Sequence, residues 1–223
     1  MAGADKRKGR IALRLYGYYR SSTSYRLRIA LALKSLDYEN CPVNLREGAQ
    51  KGADFTARNP FGGVPMLEAG GRDRAQSMAV LEWLEEAYPD APSLLPRDLE
   101  DRFTARELAY AIATELHAPL NLKVLRYLKA DMGQEQEAID IWYRHWLGTV
   151  LVPLEQRLEQ LDTGDFLFER PGLFEAVLIP QLYNARRFAF DLADMPRMRR
   201  IEEACIALPA FIAAHPDNQP DIQ

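Results

Sequence analysis

Residues 11–19 are rich in β-branched residues, leucine and tyrosine, which predicts a first strand. From residue 25 to 36 the spacing changes. Leu27, Ala30, Leu31 and Leu33 recur at helical intervals and predict a first helix. A short strand over residues 38–45 and a short helix over residues 53–58 follow. The run Asn59-Pro60-Phe61-Gly62-Gly63-Val64-Pro65-Met66-Leu67 reads as a turn leading into a strand that begins at Val64. Pro65 at a strand start suits an edge position or a cis peptide bond. Residues 72–75 are expected to form a last strand, although Arg72-Asp73-Arg74 is poor strand material. Helix returns over residues 76–88, with Met78, Leu81 and Leu84 on its apolar face. The order β-α-β-α-β-β-α predicts an α/β half, a small mixed sheet of four strands covered by helices.

Three prolines within residues 89–96 mark a linker, taken as residues 89–98. Beyond it the strand pattern disappears. Residues 99–130 read as one long helix, kinked where Pro119 removes a backbone donor. Residues 135–161, 174–190 and 198–214 complete an all-helical half, with bends or breaks expected at Pro153 and Pro180. The predicted organisation is an extension at 1–10, an α/β domain at 11–88, the linker, and an all-α domain at 99–223.

Composition narrows the function classes. A net charge of −4 argues against a general nucleic-acid binder. No apolar run is long enough to cross a membrane, so a soluble protein is expected. Residues 1–10 are small and basic with no signal-type apolar stretch after them, and read as a disordered lead-in. Cys41 and Cys205 lie far apart, so a reducing cytoplasm fits better than a disulfide framework, and both read as small core residues. His117, His145 and His215 have no ligand spacing, so no metal is expected.

The candidate chemistry gathers at helix starts. Residues 16–34 hold no acidic side chain, while Arg20, Arg26 and Arg28 flank Ser21-Ser22-Thr23-Ser24. A helix N-terminus carries free N–H groups and partial positive charge, so this start is open to an external anion, a thiolate among them. The same hydroxyls also serve as ordinary caps. Gln76-Ser77 opens another helix in the same way, and the Val64-Pro65 turn suits pairing with a peptide-like ligand. In the helical half, Arg187 offers a planar fork for a carboxylate, or else for an ion pair at the surface. His117 either lines the same cleft or is a satisfied buried histidine.

Taken together, Arg20-Ser21-Ser22-Thr23-Ser24-Tyr25-Arg26-Leu27-Arg28-Ile29-Ala30-Leu31 resembles the signature of zeta-class glutathione transferases, which include maleylacetoacetate and maleylpyruvate isomerases. The resemblance continues through Asn59-Pro60, Val64-Pro65, Gln76-Ser77, Pro180-Gln181, Asn184-Ala185-Arg186-Arg187-Phe188 and Gln219-Pro220-Asp221. It implies a thioredoxin-like N-terminal domain, an all-helical C-terminal domain and a homodimer: the glutathione transferase fold. It also implies glutathione as cofactor and a small carboxylate-bearing electrophile as substrate, with neither nucleic acid nor membrane as partner. By position, Ser21 would stabilise the glutathione thiolate with Ser22 and Thr23 beside it. Val64 would pair with the cysteinyl part, Pro65 would be cis, and Gln76 and Ser77 would hold the γ-glutamyl end. Arg187, Arg20 and His117 would face the substrate. The implied reaction is cis–trans isomerisation of a maleyl-type keto acid. Transferase or dehalogenase chemistry on small α-halo acids, and a non-catalytic glutathione-binding scaffold, are the alternatives.

Four departures stand out. Thr23 replaces the family's frequent cysteine, and His117 stands where eukaryotic members tend to carry glutamine. The last strand is polar. Gly172 replaces the hydroxyl residue of the family's Ser/Thr-x-x-Asp helix cap, leaving Glu175 to reach back to the Gly172 amide.

Overall fold

The computed structural model describes residues 12–222, so the extension expected at 1–10 lies outside the described residues. Strand β1 (Leu13–Gly17) alternates buried and half-buried positions, as a strand with one face on a core does. Helix α1 (Ser22–Leu33) begins three residues before the apolar periodicity suggested, because Ser21 caps it. Its crossover lets β2 (Glu39–Pro42) lie parallel to β1. A single 3-10 turn (Ala49–Lys51) and α2 (Ala53–Arg58) lead to β3 (Met66–Ala69). That strand starts at Met66, not Val64, which leaves Val64 and Pro65 in the preceding loop.

The expected last strand forms as β4 (Arg72–Ala75), followed by α3 (Ser77–Ala87). The sheet order is β2-β1-β3-β4, with β3 antiparallel to both neighbours. Gly70 and Gly71 close the β3–β4 hairpin with φ of 59° and 71°, a pair of left-handed positions that glycine adopts freely. The polar sequence of β4 is explained by its place at the sheet edge. Asp73 accepts from Arg58 Nε at 2.8 Å, and the Arg74 guanidinium lies 3.9 Å from the Trp83 ring centroid.

The helical half differs from expectation in its breaks. Residues 99–130 do not form one helix. Helix α4 (Leu99–Tyr110) widens into a π turn (Ala111–Leu116), stops, and gives way to α5 (Leu122–Ala130). Pro119 lacks an N–H, and Asn121 restarts the helix by accepting from Lys123 N at 3.0 Å. In contrast, α6 (Gln136–Gln160) runs unbroken through Pro153, and α7 (Leu173–Arg187) through Pro180. Pro153 is exposed, so the carbonyl it leaves unpaired one turn back is on the solvent side. Residues 198–214 divide into α8 (Pro196–Ile206) and α9 (Pro209–Ala214), each opened by a proline at its first position.

Helix α7 is buried along most of its length and packs against α1, α4 and α8, so it ties the two halves into one core. Its start explains Gly172. A Cβ there would lie 2.2 Å from the Leu94 carbonyl oxygen, which accepts from Leu173 N at 2.8 Å. Glu175 keeps its half of the cap, accepting from Gly172 N and from Leu167 N at 2.7 Å each. The segment 89–98 carries neither helix nor strand and is pinned by Glu85, which accepts from Leu94 N at 2.8 Å and pairs with Lys34 at 2.7 Å. Cys205 is buried as expected, whereas Cys41 on edge strand β2 is only half-buried. No helix among the described residues is long and apolar enough to cross a membrane.

Candidate active site

A cleft of about 1100 Å³ lies between the sheet half and helices α4 to α7. All the expected site residues border it: Arg20, Ser21, Ser22, Thr23, Val64, Pro65, Gln76, Ser77, His117 and Arg187. Among its charged walls are Arg20, Arg26, Arg46, Lys51, Lys123, Arg126 and Arg187, against the single carboxylate of Asp131. The chain as a whole is acidic, so this concentration of cations is local. It focuses positive potential where small anions would enter.

The hydroxyls at the start of α1 form a directed chain. Ser21 Oγ accepts from Ser24 N at 3.2 Å and lies 2.9 Å from Thr23 Oγ1. Thr23 Oγ1 donates to the Val64 carbonyl at 2.9 Å. Thr23 has one proton, so the Ser21 proton points to Thr23. The Val64–Pro65 peptide is cis. No acidic residue occupies the first turn of α1, so its N-terminal charge is not neutralised from within.

His117 lines the cleft and joins this cluster from the helical half. Asn121 uses its Oδ1 as the cap of α5, which turns its Nδ2 toward His117 Nε2 at 3.3 Å. Nε2 therefore accepts, the imidazole proton sits on Nδ1, and Nδ1 donates to Ser22 Oγ at 3.4 Å. Burial, with Arg26 nearby, lowers the His117 pKa from 6.5 to about 3. The ring is thus neutral at pH 7 and leaves the Ser22 proton free to point into the cleft.

The second helix start is also prepared for an anion. Gln76, the residue before α3, sits at φ 68°, contributes no side-chain cap, and the first turn of α3 holds no acid. A non-glycine residue at positive φ costs about 1–3 kcal/mol and is found disproportionately at binding sites. Across the cleft, the Arg187 guanidinium lies near Tyr183 and Phe188, and its Nη1 donates to Asn184 Oδ1 at 3.4 Å. Arg20 rests over the Tyr19 ring. Neither arginine has a carboxylate partner within ion-pair distance among the described residues.

The loop carrying Arg20 is anchored from the far end of the described chain. Tyr19 N donates to Asp221 Oδ2 at 2.9 Å, and Arg28 bridges the Tyr19 and Ala214 carbonyls at 2.9 and 2.8 Å. On the open side, Lys123 donates to the Phe61 carbonyl and Arg126 to the Leu45 carbonyl, each at 2.8 Å. Sequence reasoning missed Gln50, Asn121, Lys123 and Arg126 as cleft residues. Only Asn121 carried a readable signal, a capping residue two positions after a proline. No group of His, Cys, Asp and Glu among the described residues has metal-site geometry.

Comparison with known proteins places this geometry in a family. Residues 11–86 match the glutathione S-transferase N-terminal domain. The chain is 44% identical to the maleylacetoacetate isomerase of Pseudomonas aeruginosa over 212 residues, covering 94% of this chain and 98% of that protein. Its fold is similar to the holo structure of a bacterial zeta-class maleylpyruvate isomerase, with TM-score 0.91, 39% identity and coverage of 94% of this chain and 100% of that one. It is also similar to a maleylacetoacetate isomerase from Anaeromyxobacter dehalogenans solved with glutathione in its active site, with TM-score 0.84, 44% identity and coverage of 96% and 99%. The chain belongs to the zeta-class glutathione transferases, the family of the maleylacetoacetate and maleylpyruvate isomerases.

Proposed function

We propose that this protein is a glutathione-dependent cis–trans isomerase of a maleyl-type keto acid, converting maleylacetoacetate or maleylpyruvate to the fumaryl isomer. The observation that carries the reading is the acid-free start of α1, flanked by Arg20 and sharing one cleft with Arg187, two cations without a carboxylate partner among the described residues. Glutathione binds with its thiolate at Ser21, its cysteinyl backbone beside Val64 and Pro65, and its γ-glutamyl end at Gln76 and Ser77. On binding, the Ser21 hydroxyl turns from Thr23 to the sulfur, exchanging a neutral hydrogen bond for a charge-assisted one about twice as strong. Ser22, held from behind by His117, offers a second proton, and Thr23 keeps the loop tied to Val64. Residues 11–88 thus serve the cofactor, with Arg20 turned to the substrate, and residues 99–223 serve the substrate.

The thiolate adds to the substrate's cis double bond, conjugated with a carbonyl, and the electron pair moves onto the carbonyl oxygen as an enolate. The former double bond rotates as a single bond. The enolate then re-forms the double bond in the trans arrangement and expels the thiolate, which leaves glutathione unchanged. Arg187 and Arg20 hold the substrate carboxylates, and the positive cleft stabilises the enolate. The protein acts as a cytoplasmic homodimer. The exposed apolar stripe of Leu99, Phe103 and Tyr110 along α4 supports a second copy as its cover.

The test is turnover of maleylpyruvate and maleylacetoacetate by purified protein with glutathione, read as appearance of the fumaryl isomer. Binding of glutathione without turnover of either would refute the isomerase reading. Chloride release from dichloroacetate, measured in parallel, separates it from a dehalogenating transferase. Light scattering that gives only the 25.4 kDa chain mass would refute the dimer.

A further inference from the structure

Among the described residues, Arg26 is a fully buried cation with no carboxylate partner. It lies on α1 one turn after Ser22, only 1% exposed. Its Nη1 donates to Ser77 Oγ at 3.3 Å, while Nε and Nη2 have no hydrogen-bond partner. Burial lowers its pKa to about 9, so it remains a cation at neutral pH. A buried cation left without an anion is costly, and proteins retain one where an opposite charge arrives to balance it.

The position of Arg26 says which anion. Ser77 is the first residue of α3, whose start has no side-chain cap and no acid in its first turn. Because Ser77 Oγ accepts from Arg26, the Ser77 hydroxyl proton is turned away from Arg26. We propose that Arg26 is a positioning residue for glutathione: acting through Ser77, it supplies the counter-charge of the γ-glutamyl α-carboxylate without touching it. This rests on the cofactor reading above, in which Ser77 holds that end of the tripeptide. It accounts for a buried arginine charge that has no carboxylate beside it and for an α3 start left uncapped. It also gives Arg26 a role distinct from that of Arg20 and Arg187, which face the substrate.

The test compares two ligands by calorimetry: glutathione and 4-aminobutyryl-cysteinylglycine, which is glutathione without the γ-glutamyl α-carboxylate. Wild-type protein should bind the truncated tripeptide about 10–100-fold more weakly. Arg26→Met should weaken glutathione by about tenfold or more yet change the truncated tripeptide by less than about threefold. Arg26→Lys, which keeps a cation in place, should recover part of the difference. Equal losses for both ligands would make Arg26 merely structural and overturn the proposal, as would wild-type glutathione affinity in Arg26→Met. Should the variants not fold, wild-type protein still decides. The Arg26 Nε–H resonance should move on addition of glutathione and stay in place with the truncated tripeptide, and equal movement with both would overturn the proposal. Failure of wild-type protein to bind glutathione at all would instead overturn the cofactor reading.

Discussion

Replacing Gly172 by serine restores the residue type that a helix N-cap favours, and by capping alone it should stabilise α7 by a few tenths of a kcal/mol. The structure predicts the opposite. Any Cβ at residue 172 would lie 2.2 Å from the Leu94 oxygen, so one of the two segments must retreat by roughly 1 Å to reach ordinary contact. That movement breaks the 2.8 Å bond from Leu173 N to Leu94 O, worth about 1 kcal/mol. It also disturbs the Gly172 amide on Glu175, a carboxylate whose pKa is raised by burial and held back by the Leu167 and Gly172 amides. Overpacking at a buried junction adds about 1–3 kcal/mol. The net expectation for Gly172→Ser is a loss of about 2–4 kcal/mol, or roughly 5–15 °C in Tm for a chain of this size. Urea unfolding of wild type, Gly172→Ser and Gly172→Ala measures it, since alanine brings the Cβ without the hydroxyl. A serine variant as stable as wild type, or an alanine variant much worse than serine, would refute the steric account.

Three further outcomes are expected. Ser21→Ala should raise the pKa of the bound glutathione thiol by about 1–2 units, read by thiolate absorbance against pH, and lower turnover with it; an unchanged thiol pKa would remove Ser21 from thiolate stabilisation. His117 binds its proton more weakly in the folded state than in the unfolded chain, so its contribution to stability is complete above pH 6.5 and is lost as pH falls toward 3. Between pH 7 and about pH 4.5, wild type should therefore lose about 1–3 kcal/mol more than His117→Gln, by denaturant titration at each pH. Asp221→Ala removes the 2.9 Å anchor of Tyr19 N and should lower kcat/KM for the keto acid about 5–50-fold. Its Tm should fall by only a few degrees; full activity would show that Arg28 alone fixes the loop.

The N-terminal half was legible because its signals are local. The acid-free serine run and the Val64-Pro65 turn each act on the residues beside them. Where reading failed at Gly172, the deciding partner lay far away. Ile112, Leu116 and Leu120 continue the apolar period of α4, so nothing in their spacing announces the stop that Pro119 and Asn121 enforce. No break occurs at Pro153 or Pro180, where the surrounding helices continue. Arg26 reads as a cation flanking the serine run, and only the packing of α3 over it makes it a buried charge. Gly172 reads as a lost cap until the Leu94 carbonyl is placed against it.

The bond between Tyr19 and Asp221 spans 202 residues of sequence. During synthesis the sheet half can emerge and fold well before that partner exists. At ordinary translation rates the loop bearing Arg20 and Ser21 waits roughly 10–40 s for Asp221 to be made. A chain interrupted anywhere in that interval would carry a thiolate-ready helix without a fixed approach to it. The approach to the start of α1 is therefore fixed only once residue 221 has been made and has docked on Tyr19.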